Sequence, residues 1–188
     1  IGTATTGSLT LSGTGNVTLS AANLYTSTTF VNGATLTAGV SNALSSGGVT
    51  MRSGLYDLNG NSDTVGAISL TGSTISTGAG TLTGNGSFTT ATNANFASII
   101  TGNLGLGANA TFTIGDGLMD NDAVISAVIS GGFTFGKAGA GVLELSNSNT
   151  FSGITTISAG ILRLGTAGGG TNTPLGTTGG GTLIASGG

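Results

Sequence analysis

Residues 137–165 read KAGAGVLELSNSNTFSGITTISAGILRLG. This stretch contains three short runs in which apolar and polar residues alternate, Val142–Leu145, Thr155–Ile157 and Ile161–Leu164. Alternation with a period of two indicates strands that bury one face. Glycine or Asn/Ser turns separate the runs, and no helical pattern lies between them. The stretch therefore predicts one coil of an all-β solenoid.

The same layout occurs near the start of the chain. Asn149 repeats Asn23 at an offset of 126 residues, and the same offset relates Phe151 to Tyr25 and Leu162 to Leu36. Long internal repeats indicate solenoids, whose coils usually take roughly 20–25 residues. We therefore predict a single segment over residues 1–188 with about eight coils. Its repeat units are 7–122 and 123–188, the second incomplete.

Composition supports this architecture and excludes several others. Charged residues make up 5% of the chain, far below the roughly 25% of an ordinary globular domain. The 38 glycines disfavour long helices, and a single proline excludes collagen. A net charge of −3 with three basic residues argues against nucleic-acid binding. No apolar run reaches the roughly 18 residues of a membrane helix, so no membrane insertion is expected.

The repeated stretch resembles the autotransporter-associated β-strand repeat of bacterial passenger domains. The features that carry the resemblance are a glycine pair before Leu143 and Leu145, then Asn149, Phe151 and a second Leu-x-Leu that begins at Leu162. It covers roughly residues 13–70 and 123–188. The resemblance implies a right-handed parallel β-helix that is secreted or displayed on a bacterial cell surface. A β-sandwich of short strands is the alternative fold.

The residues that carry the repeat form the expected structural positions of the solenoid. We expect Asn23 and Asn149 to form hydrogen bonds from coil to coil. Tyr25 and Phe151 occupy equivalent places, where packing is favoured over a platform for stacking glycans. The full set of structural positions is Asn23, Tyr25, Leu36, Lys137, Leu143, Leu145, Asn149, Phe151 and Leu162.

The titratable residues offer few possibilities for catalysis. The chain has no histidine or cysteine, which excludes Ser-His-Asp and Cys-His sites and His/Cys zinc sites. Arg52, Asp57 and Asp63 lie on adjacent coil segments, and an outer-face cluster of this kind would suit a polysaccharide lyase or hydrolase. The favoured interpretation is a solvated ion pair, so we predict no enzyme, no catalytic residue and no cofactor.

Two further groups have a structural and a chemical interpretation. Asp116, Asp120 and Asp122 carry oxygens that suit calcium, but their spacing matches no known calcium loop, and an exposed turn is favoured. Lys137 with Glu144 and Asn147 would allow an intramolecular isopeptide bond, although a plain lysine on a turn is favoured.

These observations predict a mechanical function. No charge occurs before Arg52 or after Arg163, so neither end has the charged or capped edge of an ordinary β-stack. We expect a cell-surface or extracellular stalk or fibre segment that continues into flanking repeats or associates with itself end to end. An adhesin that binds glycans or matrix through one face is the alternative, and a carbohydrate-active enzyme ranks third.

Overall fold

The computed structural model describes residues 6–92 and 95–185. Within these residues the structure is all-β, with no helix. The strands are β1 Leu9–Ser12, β2 Asn16–Leu19, β3 Thr29–Asn32, β4 Thr35–Ala38, β5 Val49–Arg52, β6 Leu55–Asp57, β7 Asp63–Val65, β8 Ile68–Thr71, β9 Thr74–Gly84, β10 Phe88–Thr90, β11 Ser98–Leu106, β12 Ala110–Ile114, β13 Ala123–Ile125, β14 Val128–Ser130, β15 Phe135–Ala138, β16 Val142–Leu145, β17 Thr155–Ile157, β18 Ile161–Leu164, β19 Asn172–Thr173, β20 Gly176–Thr177 and β21 Thr182–Ile184.

Two parallel sheets run the length of the described structure. The first has nine strands in the order β1-β3-β5-β8-β10-β12-β15-β17-β21. The second has ten, in the order β18-β16-β13-β11-β9-β6-β4-β2, with β14 on β11 and β7 on β9. Because the chain visits the two sheets in turn, each circuit is one coil, and the fold is the predicted β-solenoid of about eight turns. Parallel pairing throughout both sheets rules out the alternative, an antiparallel β-sandwich.

Coil length varies along the stack. In the first sheet, paired residues lie from 19 residues apart, between Val49 and Ile68, to 27 apart, between Ile157 and Ile184. The extra length of the last coil includes the antiparallel pair β19–β20. Since the strand register continues through these changes, insertions are placed at the corners and leave the sheets intact.

A single apolar core lies between the two sheets. Leu36, Leu143 and Leu145 are fully buried in it, and Leu162 packs against it. Four phenylalanine rings stack in series through the later coils. The ring centroids lie 4.3 Å apart between Phe88 and Phe112, 4.5 Å between Phe112 and Phe135, and 5.5 Å between Phe135 and Phe151. Inward residues of successive coils thus cover one another, which is how so narrow a structure excludes water.

Candidate functional site

A buried polar cluster lies in the first half of the solenoid. Asp63, the first residue of β7, is 2% exposed. Its Oδ2 accepts hydrogen bonds from the backbone N–H of Leu44, at 2.9 Å, and from the Tyr56 hydroxyl, at 2.6 Å. Its Oδ1 accepts one from the N–H of Thr64, at 2.9 Å. None of these partners is a cation, so three neutral donors alone compensate the buried carboxyl group.

Burial shifts the ionisation of this cluster. It raises the pKa of Asp63 above its ordinary value, and the three hydrogen bonds oppose the shift. Burial, followed by the nearby charge of Asp63, raises the pKa of Tyr56 as well. The Tyr56 hydroxyl therefore stays protonated and donates a hydrogen bond to the Asp63 carboxyl group. The cluster pins β6 and β7 to the preceding coil through Leu44.

Tyr25 and Phe151 are enclosed packing residues, 1% and 0% exposed. The Tyr25 hydroxyl shares a 2.5 Å hydrogen bond with the hydroxyl of Thr29, and burial raises the pKa of Tyr25. A ring with no exposed face has no surface on which a sugar can stack. The glycan-stacking interpretation of this pair is therefore wrong.

Both asparagines singled out in the sequence bond between coils. The Asn23 Nδ2 donates to the carbonyl of Ala43 in the next coil, at 2.7 Å. The Asn149 Oδ1 accepts from the N–H of Ile129 in the preceding coil, at 2.7 Å, and its Nδ2 donates to the carbonyl of Pro174 in the next, at 2.7 Å. Each amide satisfies backbone groups of neighbouring coils, which for Asn149 include the N–H of Ile129 in β14.

Lys137 is the position where the sequence interpretation fails most clearly. The lysine expected on a turn is the third residue of β15 and is 0% exposed. Its Nζ donates to the carbonyls of Ala138, Gly139 and Ala159 at 2.9, 2.8 and 3.0 Å. Burial lowers the pKa of Lys137, and the charge of Asp122 opposes the shift. All three N–H groups of the ammonium donate hydrogen bonds, so Lys137 joins the turn after β15 to the turn after β17 from the inside of the solenoid.

The carboxylate expected to form an isopeptide bond with Lys137 lies in a different network. The Glu144 Oε2 accepts from the Asn121 Nδ2 at 2.8 Å, and its Oε1 accepts from the Ser146 hydroxyl at 2.6 Å. The Nη1 of Arg163, the register partner of Glu144, donates to the Asn121 Oδ1 at 2.5 Å. This surface network ties three coils together.

Arg52, Asp57 and Asp63 do not form an outer-face cluster. Arg52 is exposed at the end of β5. The Asp57 Oδ1 accepts a hydrogen bond from the N–H of Asn59 at 2.8 Å and so closes a local turn. Because Asp63 is inside the core, the expectation that all three face solvent is wrong. The strand pattern contained the signal, since period two places Asp63 on the face of buried Val65.

The acidic residues after β12 also separate. Asp116 and Asp120 are exposed, whereas Asp122 is 8% exposed and accepts from the N–H of Gly117 at 2.7 Å and of Val142 at 2.8 Å. Asp122 therefore fixes the backbone, and placing it in an exposed turn is wrong. Among residues 6–92 and 95–185, no three His, Cys, Asp or Glu side chains form a group that could hold a metal ion.

Two residues of these networks were missed in the sequence. Tyr56 is the hydroxyl partner of Asp63, and Asn121 bridges Glu144 and Arg163. Tyr56 is two residues from the apolar Leu58, so the alternation predicts that Tyr56 faces inward. The alternation does not show which residue its hydroxyl contacts. No sequence signal identifies Asn121, because its role depends on which residues the adjacent coils bring beside it.

Comparison with known proteins agrees with this architecture. The family model described as passenger-associated-transport-repeat matches residues 9–38 and 135–164. These two segments correspond to β1–β4 and β15–β18, and each contributes two strands to the first sheet and two to the second. No curated protein and no solved structure matches the chain. In the described part of the chain, no helix has the length and hydrophobicity needed to cross a membrane.

Proposed function

We propose that this chain, which carries two repeats of the autotransporter passenger type, is a mechanical spacer of a protein secreted from or displayed on a bacterial cell. The observation that carries the proposal is the uninterrupted stack of parallel strands around one core. With strands about 4.8 Å apart, eight coils span on the order of 40 Å. The networks described above bond one coil to the next.

The outermost strands support the further proposal that the stack continues into flanking coils or a second copy. The exposed fractions are 54% for Ile161, 46% for Leu164 and 67% for Ile184 at one end, and 40% for Val17 at the other. These residues lie on β18, β21 and β2, each paired on one side only. Unpaired strands with apolar side chains are suited to receive a further parallel strand.

Removal of one coil tests the spacer function. Val49 and Ile68 are register partners, so deletion of residues 49–67 joins Gly48 to Ile68 and keeps the remaining columns aligned. Small-angle scattering is expected to show a rod shortened by about 5 Å. An unchanged long dimension, or loss of the parallel-sheet circular dichroism spectrum, contradicts an additive stack.

The function is further proposed to be non-catalytic. Glycoside hydrolysis needs two carboxyl groups at a defined separation on either side of the substrate, whereas Asp57 closes a turn and Asp63 is buried. A glycan array with the purified chain separates the spacer from the adhesin alternative. Selective binding to glycans or matrix components would favour the adhesin, and polysaccharide cleavage lost in Asp57→Asn would favour the enzyme.

A further inference from the structure

One corner of the solenoid differs between coils. The turn from the first sheet to the second is two or three residues long after β1, β3, β5, β8, β15 and β17. After β10 and β12, which are neighbours in the sheet, it is seven and eight residues long. Insertions in repeat proteins map to loops on one face, which is often the binding face. The described residues of these two turns, 91–92, 95–97 and 115–122, lie at one corner of the solenoid, beside the short turns that follow β5 and β8.

The described residues of the two long turns include exposed apolar and acidic side chains. Phe96 follows β10 and is 62% exposed, and Leu118 follows β12 and is 83% exposed. Asp116 and Asp120 lie on either side of Leu118 and are exposed. In a chain with 5% charged residues, two acids beside two exposed apolar residues form a distinctive surface.

A complementary cation lies at the same corner. Arg52 is the exposed last residue of β5 and precedes the short turn at residues 53–54. In the sheet order β5-β8-β10-β12, Arg52 lies three strands from the turn that carries Asp116 and Asp120. Three strand spacings correspond to about 14 Å. The corner therefore carries a positive charge at the short turn after β5 and two negative charges at the long turn after β12.

We propose that this corner is the interface of a two-fold dimer in which two copies of the chain lie side by side and antiparallel. A two-fold axis between β8 and β10 exchanges β5 with β12 and β8 with β10. It places Arg52 of each copy against Asp116 and Asp120 of the other, and Phe96 over the short turn at residues 72–73. Such an interface is self-complementary in charge, as a two-fold contact requires.

Charge reversal in the 188-residue chain tests the proposal, with analytical ultracentrifugation over a concentration series as the measurement. Arg52→Asp alone and Asp116→Arg with Asp120→Arg are each expected to weaken dimerisation. The combination of all three is expected to restore it, because the charges are exchanged but remain complementary. Leu118→Ser is expected to lower the association constant of the dimer about tenfold or more. Each dimer contains two copies of Leu118, so the substitution removes two leucine side chains that the interface would bury.

Leu24→Ser provides the matched control, because Leu24 is also exposed, at 52%, but lies between β2 and β3, away from this corner. It is expected to leave dimerisation unchanged. All substituted residues are exposed, so circular dichroism spectra are expected to be the same as for the unmodified chain. A chain that is monomeric throughout the series overturns the proposal. Association that none of the variants alters, such as end-to-end growth, overturns it as well, as does failure of the triple variant to dimerise.

Discussion

Thr90→Val is expected to stabilise the solenoid. Thr90 is the last residue of β10 and lies in the inward column between Leu70 and Ile114. Its Oγ1 is shielded from solvent and has no hydrogen-bond partner. The side chain borders a cavity of about 20 Å³ between the two sheets, whose lining is mainly aliphatic and aromatic. A hydroxyl in this setting is desolvated without compensation.

The size of the effect follows from two contributions. An unsatisfied buried hydroxyl costs about 1–3 kcal/mol, and a methyl group in its place gains roughly 0.8 kcal/mol from burial. Valine has nearly the same shape as threonine, so no new cavity or clash opposes the gain. Together these contributions are expected to raise the free energy of unfolding by about 2–4 kcal/mol. For a chain of this length, the melting temperature is then expected to rise by about 2–4 °C per kcal/mol.

Guanidinium titration followed by far-ultraviolet circular dichroism measures this change as a shift of the midpoint at constant slope. Thr89→Val is the control, because Thr89 is the exposed neighbour on the same strand, and it is expected to change stability by less than about 0.5 kcal/mol. Neutral or destabilising behaviour of Thr90→Val would refute the reasoning. That result would show that the native hydroxyl is hydrogen-bonded, for instance to a water molecule in the cavity.

Three further predictions concern buried or strained positions. Burial raises the pKa of Asp63 in the folded chain, so the contribution of Asp63 to stability is full below the ordinary pKa of 3.8 and is lost as the pH rises through the higher pKa of the folded state. The free energy of unfolding measured across pH is expected to show this loss in the wild type and not in Asp63→Asn. Gly153→Ala is expected to destabilise the chain by about 2 kcal/mol or more, because the added Cβ would collide with the carbonyl oxygen of Phe133. Gly132→Ala is the control in the same thermal melts and is expected to be neutral, because no atom lies within 4 Å of its added Cβ. Ser53 has a φ of 51°, so Ser53→Gly is expected to stabilise by about 0.5–1 kcal/mol, and an unchanged or lower denaturant midpoint would contradict that strain.

The period-two pattern was sufficient for the strands and for the inward face. Val142–Leu145 and Ile161–Leu164 are strands β16 and β18 and pair in parallel, as one coil over the next. The repeat of Asn23 at Asn149 indicated a repetitive architecture, and both residues form hydrogen bonds between coils. These are local properties, and each depends on the geometry of a single strand or turn.

The polar interior was not predictable in the same way. The sequence predicts Lys137 and Asp63 at the surface, since charged side chains are rarely buried. Their burial depends on carbonyls and N–H groups that other coils supply, such as Ala159 for Lys137 and Leu44 for Asp63. A sequence shows that such a residue alternates in phase with the core residues. It does not show whether backbone groups of other coils lie close enough to form hydrogen bonds with its side chain.

The sequence by itself determined that this chain is all-β, with short strands, glycine turns and a long internal repeat. The parallel stack was implied by the family resemblance, and only the strand pairing excluded the β-sandwich. Only the tertiary structure decided which residues share a column. The repeat equates Leu11 with Lys137, yet Leu11 belongs to the column that reaches Ile114, whereas Lys137 stacks between Phe112 and Ile157. The second repeat is thus displaced by two residues across the sheet. A displacement of two keeps every side chain on its own face, so alternation does not reveal it, and packing between coils determines it.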